Sequence, residues 1–242
     1  DNPLHHRLLS AYFFAENYIM GDVLELGCGE GRGINNILKK SRSYTAVDKI
    51  TEAINILSDK YPEQKFISTS FPPLKNIKSN SFDSVISFQV IEHIQDDDLF
   101  ISEIYRILRP GGIALLTTPN IKMTLTRNPW HIREYTSGEL VALASKHFSR
   151  IEIKGVSGNK KVKQYYMDNV KSVQKFKNLD IFNLEKNLPN FLYKIPYEIL
   201  NRFNRDSLKK NDSGLVSSIV SSDYILSDDK PDNLDLFLIL KK

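Results

Sequence analysis

The sequence is poor in cysteine, in long apolar runs and in excess charge of either sign. Its 242 residues include one cysteine, Cys28, which excludes an intrachain disulfide and a multi-cysteine zinc site. No apolar run reaches the ~20 residues that a membrane-spanning helix requires. The net charge of +4 is too small to indicate nucleic acid as a partner. We therefore predict a globular, cytoplasmic protein without a membrane span.

Hydrophobic patterning predicts strands that alternate with helices. A helical pattern over 4–19 comes first, and Thr51, Pro110 and Gly111 are expected to begin or end later helices. Seven β-leaning runs follow along the chain, at residues 23–27, 44–48, 64–69, 82–88, 113–118, 150–156 and 234–240. This alternation builds βαβ units, so we predict an α/β fold with a seven-stranded, mainly parallel sheet and helices on both faces.

The stretch between the last two predicted strands is too long for a loop inside a compact sheet. It is rich in lysine, asparagine and tyrosine, and we predict a helical insertion before the last strand. The predicted division is a core over 1–156, an inserted substrate or lid region over 157–233, and a final strand over 234–242 that completes the core.

A glycine-rich turn follows the first predicted strand, in VLELGCGEGRG at 23–33. Gly27 and Gly29 let the backbone approach a ligand without a Cβ in the way. Asp48 ends the second strand, where a carboxylate can accept from both hydroxyls of a ribose. Together the turn and the acid indicate a ligand that contains adenosine.

The glycine spacing helps to select the ligand. A dinucleotide fingerprint reads G-x-G-x-x-G, whereas this turn reads G-x-G-x-G and places Arg32 at the sixth position. No phosphate-loop motif occurs, which disfavours ATP and GTP. Glu25 would repel a pyrophosphate but suits a cationic amine. The turn therefore favours a cofactor such as S-adenosylmethionine.

Four segments resemble the class I S-adenosylmethionine-dependent methyltransferases: VLELGCGEG at 23–31, AVDK at 46–49, SFDSVISFQVIEHI at 81–94 and EIYRILRPGGIALLTTPN at 103–120. The resemblance covers about residues 20–156. It implies a Rossmann-like fold, S-adenosylmethionine as the cofactor and S-adenosylhomocysteine as the product. No cluster of His, Cys and Asp has metal-ligand spacing in the sequence, so no metal is predicted.

The resemblance implies a role for each residue of the glycine turn and its surroundings. Gly27, Cys28 and Gly29 would pass under the methionine and ribose, with Glu25 near the amine. Asp48 would hold the ribose hydroxyls.

The remaining cofactor contacts follow from the same resemblance. Lys49 or Ile50 would line the adenine. An acid usually follows the third strand in this family, but Ser68 and Thr69 stand there in this sequence, so a hydroxyl or backbone group would substitute. Phe88 and Gln89 would flank the transferable methyl group.

Two further segments resemble relatives from sugar and polysaccharide loci. In the start HHRLL, Arg7 is a candidate for the cofactor carboxylate, and equally a surface arginine on a covering helix. In NPWHIREY, within the connection after the fifth strand, His131 is our first candidate for a general base. His131 and Tyr135 could instead only fix this connection to the sheet. His93 is a second catalytic candidate, with a structural or cofactor-side role as its alternative.

We predict a methyltransferase that acts on a small-molecule or glycan acceptor, with oxygen favoured because the Asn-Pro-Pro-Tyr element of nitrogen-modifying relatives is absent. The alternative is a catalytically silent partner subunit that binds S-adenosylmethionine. No nucleic-acid partner is expected, and a homodimer stays open. The glycine spacing disfavours a dehydrogenase.

Overall fold

An eight-stranded mixed sheet forms the centre of the molecule. The computed structural model describes residues 2–179 and 187–242. The strands are β1 Asp22–Leu26, β2 Ser43–Asp48, β3 Lys65–Ser68, β4 Phe82–Phe88, β5 Leu108–Pro119, β6 Arg150–Gly158, β7 Tyr224–Asp228 and β8 Asp235–Lys241. Their order is β3-β2-β1-β4-β5-β8-β6-β7. The first five pair in parallel, whereas β8 is antiparallel to both β5 and β6.

Helices cover both faces of this sheet. In the described part of the chain they are α1 Asn2–Ala15, α2 Ile34–Leu38, α3 Thr51–Lys60, α4 Asp97–Ile107, α5 Ser137–Ala144, α6 Lys160–Leu179, α7 Asn190–Asn211 and α8 Ser213–Ser218. One core cluster packs α1 to α3 against the sheet, and a second packs α4 and α5 against the other face. The predicted α/β architecture is therefore confirmed.

The strand count differs from the prediction by one. β7 lies within the span 157–233 that was expected to be helical, and it pairs antiparallel with β6 at the edge of the sheet. Its five residues precede a polar, proline-containing turn, so the sequence carries too short a run to indicate a strand. α6, α7 and α8 occupy other parts of this span, and residues 180–186 lie outside the described residues. None of the described helices is long and apolar enough to cross a membrane.

Two helix ends also differ from the prediction. α3 begins without a side-chain cap, because the Oγ1 of Thr51 lies 2.7 Å from the Oγ of Ser68 instead of capping the helix. α4 ends at Ile107, since Leu108 is already extended and pairs with β4. Pro110 and Gly111 therefore lie within β5 and do not end the helix themselves.

Candidate active site

The glycine turn lies where β1 ends, between the ends of β2 and β4. The backbone N–H of Gly27 donates to the carbonyl of Val47 at 2.7 Å. Gly27 has φ +82°, and a Cβ there would lie 2.4 Å from a methyl carbon of Val90. Only glycine satisfies both conditions, so the turn passes unusually close to the segment that follows β4.

Asp48 ends β2 and turns its buried carboxylate toward this turn. One oxygen accepts from the backbone N–H of Gly29 at 2.8 Å, and the other from that of Ile50 at 3.0 Å. Each oxygen keeps acceptor capacity for one further donor. A Cβ on Gly29 would meet no atom within 4 Å, so the turn faces open space. An acid with two remaining acceptor positions beside an open glycine turn fits a ribose with two free hydroxyls.

Glu25 is buried beneath the turn and faces two tyrosines. The hydroxyl of Tyr12 donates to its Oε1 at 2.6 Å, and the hydroxyl of Tyr44 donates to its Oε2. Burial raises the pKa of Glu25 above its usual value. Neither tyrosine is indicated by the sequence, because each looks like an ordinary apolar position of its helix or strand. A role for Glu25 near the cofactor amine stays a prediction.

The other predicted cofactor residues lie at or next to the same strand ends. Cys28 is buried, and this raises the pKa of its thiol, so it is not a thiolate nucleophile. Lys49 directly follows Asp48 and is exposed. The backbone N–H of Thr69 donates to the carbonyl of Asp48 at 3.0 Å, which fixes the end of β3 with Ser68 beside it.

Arg7, Gln89 and Asp235 form a polar link between α1 and the sheet. The Nε of Arg7 donates to Asp235 at 2.7 Å, and the side-chain amide of Gln89 lies 3.3 Å from the same carboxylate. Gln89 has φ +58°, an uncommon conformation for a residue with a side chain. Phe88, before it, packs edge-on against the ring of Tyr12 at 4.9 Å. Asp235 was not predicted, although an acid that opens an apolar strand was a usable signal.

His93 lies on a short 3-10 helix, Ile91–His93, directly after β4. Its Nδ1 is 2.9 Å from the carbonyl oxygen of Trp130. A carbonyl only accepts, so Nδ1 carries the proton and Nε2 carries the lone pair. The ring packs edge-on against His131 at 4.9 Å. His93 is exposed, but neighbouring groups partly desolvate its ring, which lowers its pKa and keeps the imidazole neutral at pH 7.

His131 has contacts at both ring nitrogens. Its Nδ1 is 2.6 Å from Oε1 of Glu134, and its Nε2 is 2.8 Å from the side-chain nitrogen of Asn128. The amide oxygen of Asn128 accepts from the backbone N–H of Trp130 at 3.0 Å, which directs the amide nitrogen to His131. Asn128 therefore occupies the Nε2 lone pair of His131. In His93 it is Nδ1 that bonds to Trp130, so the Nε2 lone pair of His93 is available.

Glu92 is buried beside these histidines. Burial raises the pKa of its carboxyl group to about 8, and the hydroxyl of Thr118 donates to it at 3.0 Å. Glu92, His93 and His131 each offer a possible metal-ligand atom within 4.8 Å of the others. Sequence spacing did not indicate this group, because the fold brings His131 in from a distant connection. The absence of a metal stays a prediction.

A cavity of about 400 Å³ lies next to Gln89, His93 and His131. Its walls come from α1, from the connection after β5 and from α6 and α7. They include the rings of Tyr165, Tyr166 and Tyr197. Aromatic rings and several polar groups around a cavity of this size suit a small polar molecule.

Comparisons with known proteins agree with this arrangement. A family model described as a methyltransferase domain matches residues 24–116. A protein of Mycolicibacterium smegmatis named "Probable S-adenosylmethionine-dependent methyltransferase" is 38% identical over 128 residues, which are 50% of this chain and 49% of that protein. The mitochondrial ubiquinone biosynthesis O-methyltransferase of Rattus norvegicus is 28% identical over 107 residues, 40% of this chain and 30% of that protein. The chain thus spans about half the length of the first relative and less of the second.

A crystal structure of an S-adenosylmethionine-dependent methyltransferase from Thermotoga maritima has the same fold. Its TM-score is 0.61 at 16% identity, over 99% of this chain and 91% of that one. Residues 24–116 therefore match the model of a methyltransferase domain, and the chain shares the fold of an S-adenosylmethionine-dependent methyltransferase. The resemblance drawn from the sequence is confirmed, while the relation to sugar loci stays a prediction.

Proposed function

We propose that this protein transfers a methyl group from S-adenosylmethionine to an oxygen atom of a small-molecule or glycan acceptor, with His93 as the general base. The observation that carries the proposal is the hydrogen bond between Nδ1 of His93 and the carbonyl of Trp130. It fixes the tautomer in which Nε2 can accept a proton, directly after the strand that ends in Phe88. A pKa below the usual value keeps that nitrogen unprotonated at pH 7.

The chain's own residues suit the cofactor, which when bound supplies an activated methyl group. Asp48 would accept from the ribose hydroxyls, and Gly27, Cys28 and Gly29 would lie under the methionine and ribose. Lys49, Ser68 and Thr69 would border the adenine. The open space at Gly29 and the remaining acceptor positions of Asp48 support this assignment.

The acceptor would lie in the cavity beside His93. An imidazole acts there by taking the hydroxyl proton as the oxygen attacks, which typically contributes ~10²–10⁴-fold to the rate. The name of the rat relative, an O-methyltransferase, supports oxygen as the methylated atom. The tyrosines of the cavity could stack on a sugar or an aromatic ring.

His131 has a different part in this proposal from the one that the sequence favoured. With both nitrogens engaged, it holds Glu134 and Asn128 in place and supports the ring of His93. It would act as the base only if Asn128 released its Nε2. The comparison of His93 and His131 variants separates the two assignments.

The experiment is label transfer from S-adenosylmethionine to a panel of sugars and phenols, with amines as nitrogen acceptors. We expect His93→Gln to lower kcat by ~100-fold or more, and to remove the fall in rate that the wild type shows at acid pH, below the usual pKa of a histidine. His147→Gln is the matched control and should keep wild-type activity, because His147 follows the end of α5 and lies beside Asp98 of α4.

Three outcomes would change the proposal. A loss in His131→Gln with normal activity in His93→Gln would move the base to His131. Transfer only to amines would replace oxygen with nitrogen as the acceptor atom. Cofactor binding without transfer to any acceptor would favour the silent partner subunit.

A further inference from the structure

The two faces of α7 differ in a way that folding does not require. Its inner face buries Tyr193, Asn204 and Leu208. Its outer face carries large apolar side chains every four residues, so they form one stripe along the helix. These residues are Phe191, Ile195, Ile199 and Phe203, with exposed fractions of 70%, 69%, 50% and 61%.

This stripe is continuous over about 18 Å, given the ~1.5 Å rise per residue of a helix. Leu192 and Leu200 widen it, since both are also exposed. Exposed apolar residues are usually scattered singly, and a contiguous patch of this kind marks an interaction surface. We call these six residues the α7 stripe.

The positive charge of the molecule is concentrated in α6 and in α7, the helix that carries the α7 stripe. α6 and α7 together carry eleven basic and three acidic residues. Of the 33 basic and 29 acidic residues of the whole chain, the other 22 basic and 26 acidic residues lie elsewhere. The positive charge of the whole protein therefore comes from these two helices. They are joined by a hydrogen bond of 2.7 Å between Asn204 and Asn169.

We propose that the α7 stripe lies on an anionic lipid surface, with the basic residues of α6 and α7 facing the headgroups. An amphipathic helix with an apolar face flanked by lysine and arginine binds in the plane of such a surface. Each basic residue near an anionic surface adds to the attraction, and salt weakens it.

The charge pattern favours lipid over a second copy of the chain. A two-fold symmetric dimer places the same patch of both copies face to face. A dimer through the α7 stripe would therefore bring two strongly basic helix pairs together. An anionic bilayer offers both the apolar depth and the opposite charge.

The position of α7 relates this surface to the cavity beside His93. Tyr197 and Asn201, from the same helix, line that cavity. Helix α7 thus separates the proposed lipid surface from the proposed acceptor site by one helix diameter, about 10 Å. The lipid proposal does not depend on methyl transfer, because its test measures binding alone.

The test is co-sedimentation of the full chain with phosphatidylcholine vesicles, with and without phosphatidylglycerol. We expect binding only when phosphatidylglycerol is present, with weaker binding at high salt. The double variant F191S/I195S should lose at least about tenfold in vesicle affinity, because two large apolar anchors are removed. The control is Ile56→Ser, a side chain on α3 that is 60% exposed, and it should bind as the wild type does.

A thermal melt shows whether each variant is folded. Substitutions at these exposed positions should change the stability little. The proposal is overturned if the wild type does not sediment with phosphatidylglycerol vesicles, or if F191S/I195S sediments equally well. It is also overturned if the wild type forms a dimer in solution that F191S/I195S dissociates, because the second copy would then cover the α7 stripe.

Discussion

Apolar residues are buried in α4, which packs against the sheet, but are exposed on the outer face of α7. In α4, packed against the sheet, Phe100, Ile101 and Ile104 are fully buried. In α7, the residues with comparable side chains, such as Phe191 and Phe203, are mostly exposed. The same helical periodicity thus describes a core-facing helix in one region and a solvent-facing stripe in the other. Periodicity shows that a helix has an apolar face, but the surrounding elements decide whether that face is covered.

This difference in burial indicates different roles for the sheet region and for α6 and α7. The sheet and its helices hold the glycine turn, Asp48 and His93 in fixed positions. α6 and α7 supply one wall of the cavity and an apolar surface that the described part of the chain leaves uncovered. Substitutions in the sheet region should therefore affect stability and cofactor binding, whereas substitutions on the outer face of α7 should affect neither.

The largest expected contrast is between two phenylalanines. Phe100→Ala, in the core, should lower the free energy of unfolding by about 4 kcal/mol, because a large buried side chain leaves a cavity. Phe203→Ala, on the α7 stripe, should change it by less than ~0.5 kcal/mol. Urea denaturation measures both. Equal losses would show that the α7 stripe is covered in the folded protein and would remove the contrast.

Two glycines of the turn should separate stability from cofactor binding. Gly27→Ala should cost about 3 kcal/mol of stability, from its positive φ and the contact with Val90. Gly29→Ala should cost only ~1 kcal/mol, since its Cβ would enter open space. The same open space should hold the cofactor, so Gly29→Ala should lower the affinity for S-adenosylhomocysteine at least about tenfold. Normal affinity in Gly29→Ala would place the cofactor elsewhere.

A smaller effect should appear as a change of stability with pH. The unfolded chain ionises Glu92 near pH 4.5, whereas the folded protein keeps it protonated up to about pH 8. Folding therefore loses stability as pH rises between these values, by about 1.4 kcal/mol per unit at most. Glu92→Gln removes this loss, and should be up to about 5 kcal/mol more stable than the wild type near pH 8 and equal to it near pH 4.5.

Denaturation curves near pH 4.5 and near pH 8 measure the stability difference between the wild type and Glu92→Gln. Glu52→Gln, at an exposed position on α3, is the control. A constant difference between wild type and Glu92→Gln across this range would show that Glu92 is ionised in the folded protein.

The sequence allowed most of the sheet region to be predicted, because each signal there is local. Strand runs, glycine spacing and the acid at Asp48 are all visible within a few residues. The tyrosines on Glu25, the pairing of Arg7 with Asp235, and the packing of His131 against His93 depend on contacts between distant segments. The eighth strand, β7, was too short to be indicated. The outward direction of the α7 stripe could not be predicted either, since it depends on which face of the helix the fold covers.

The most direct measurement is calorimetric titration of the chain with S-adenosylmethionine, S-adenosylhomocysteine and NAD. We expect binding of both sulfur compounds and none of NAD. Asp48→Ala should weaken that binding by about 100-fold, because the two hydrogen bonds to a charged acceptor are lost, whereas Asp59→Ala on α3 should leave it unchanged. Absence of binding to either sulfur compound, or equal binding by Asp48→Ala, would contradict the assignment of the glycine turn and Asp48 to the methyl-donor site.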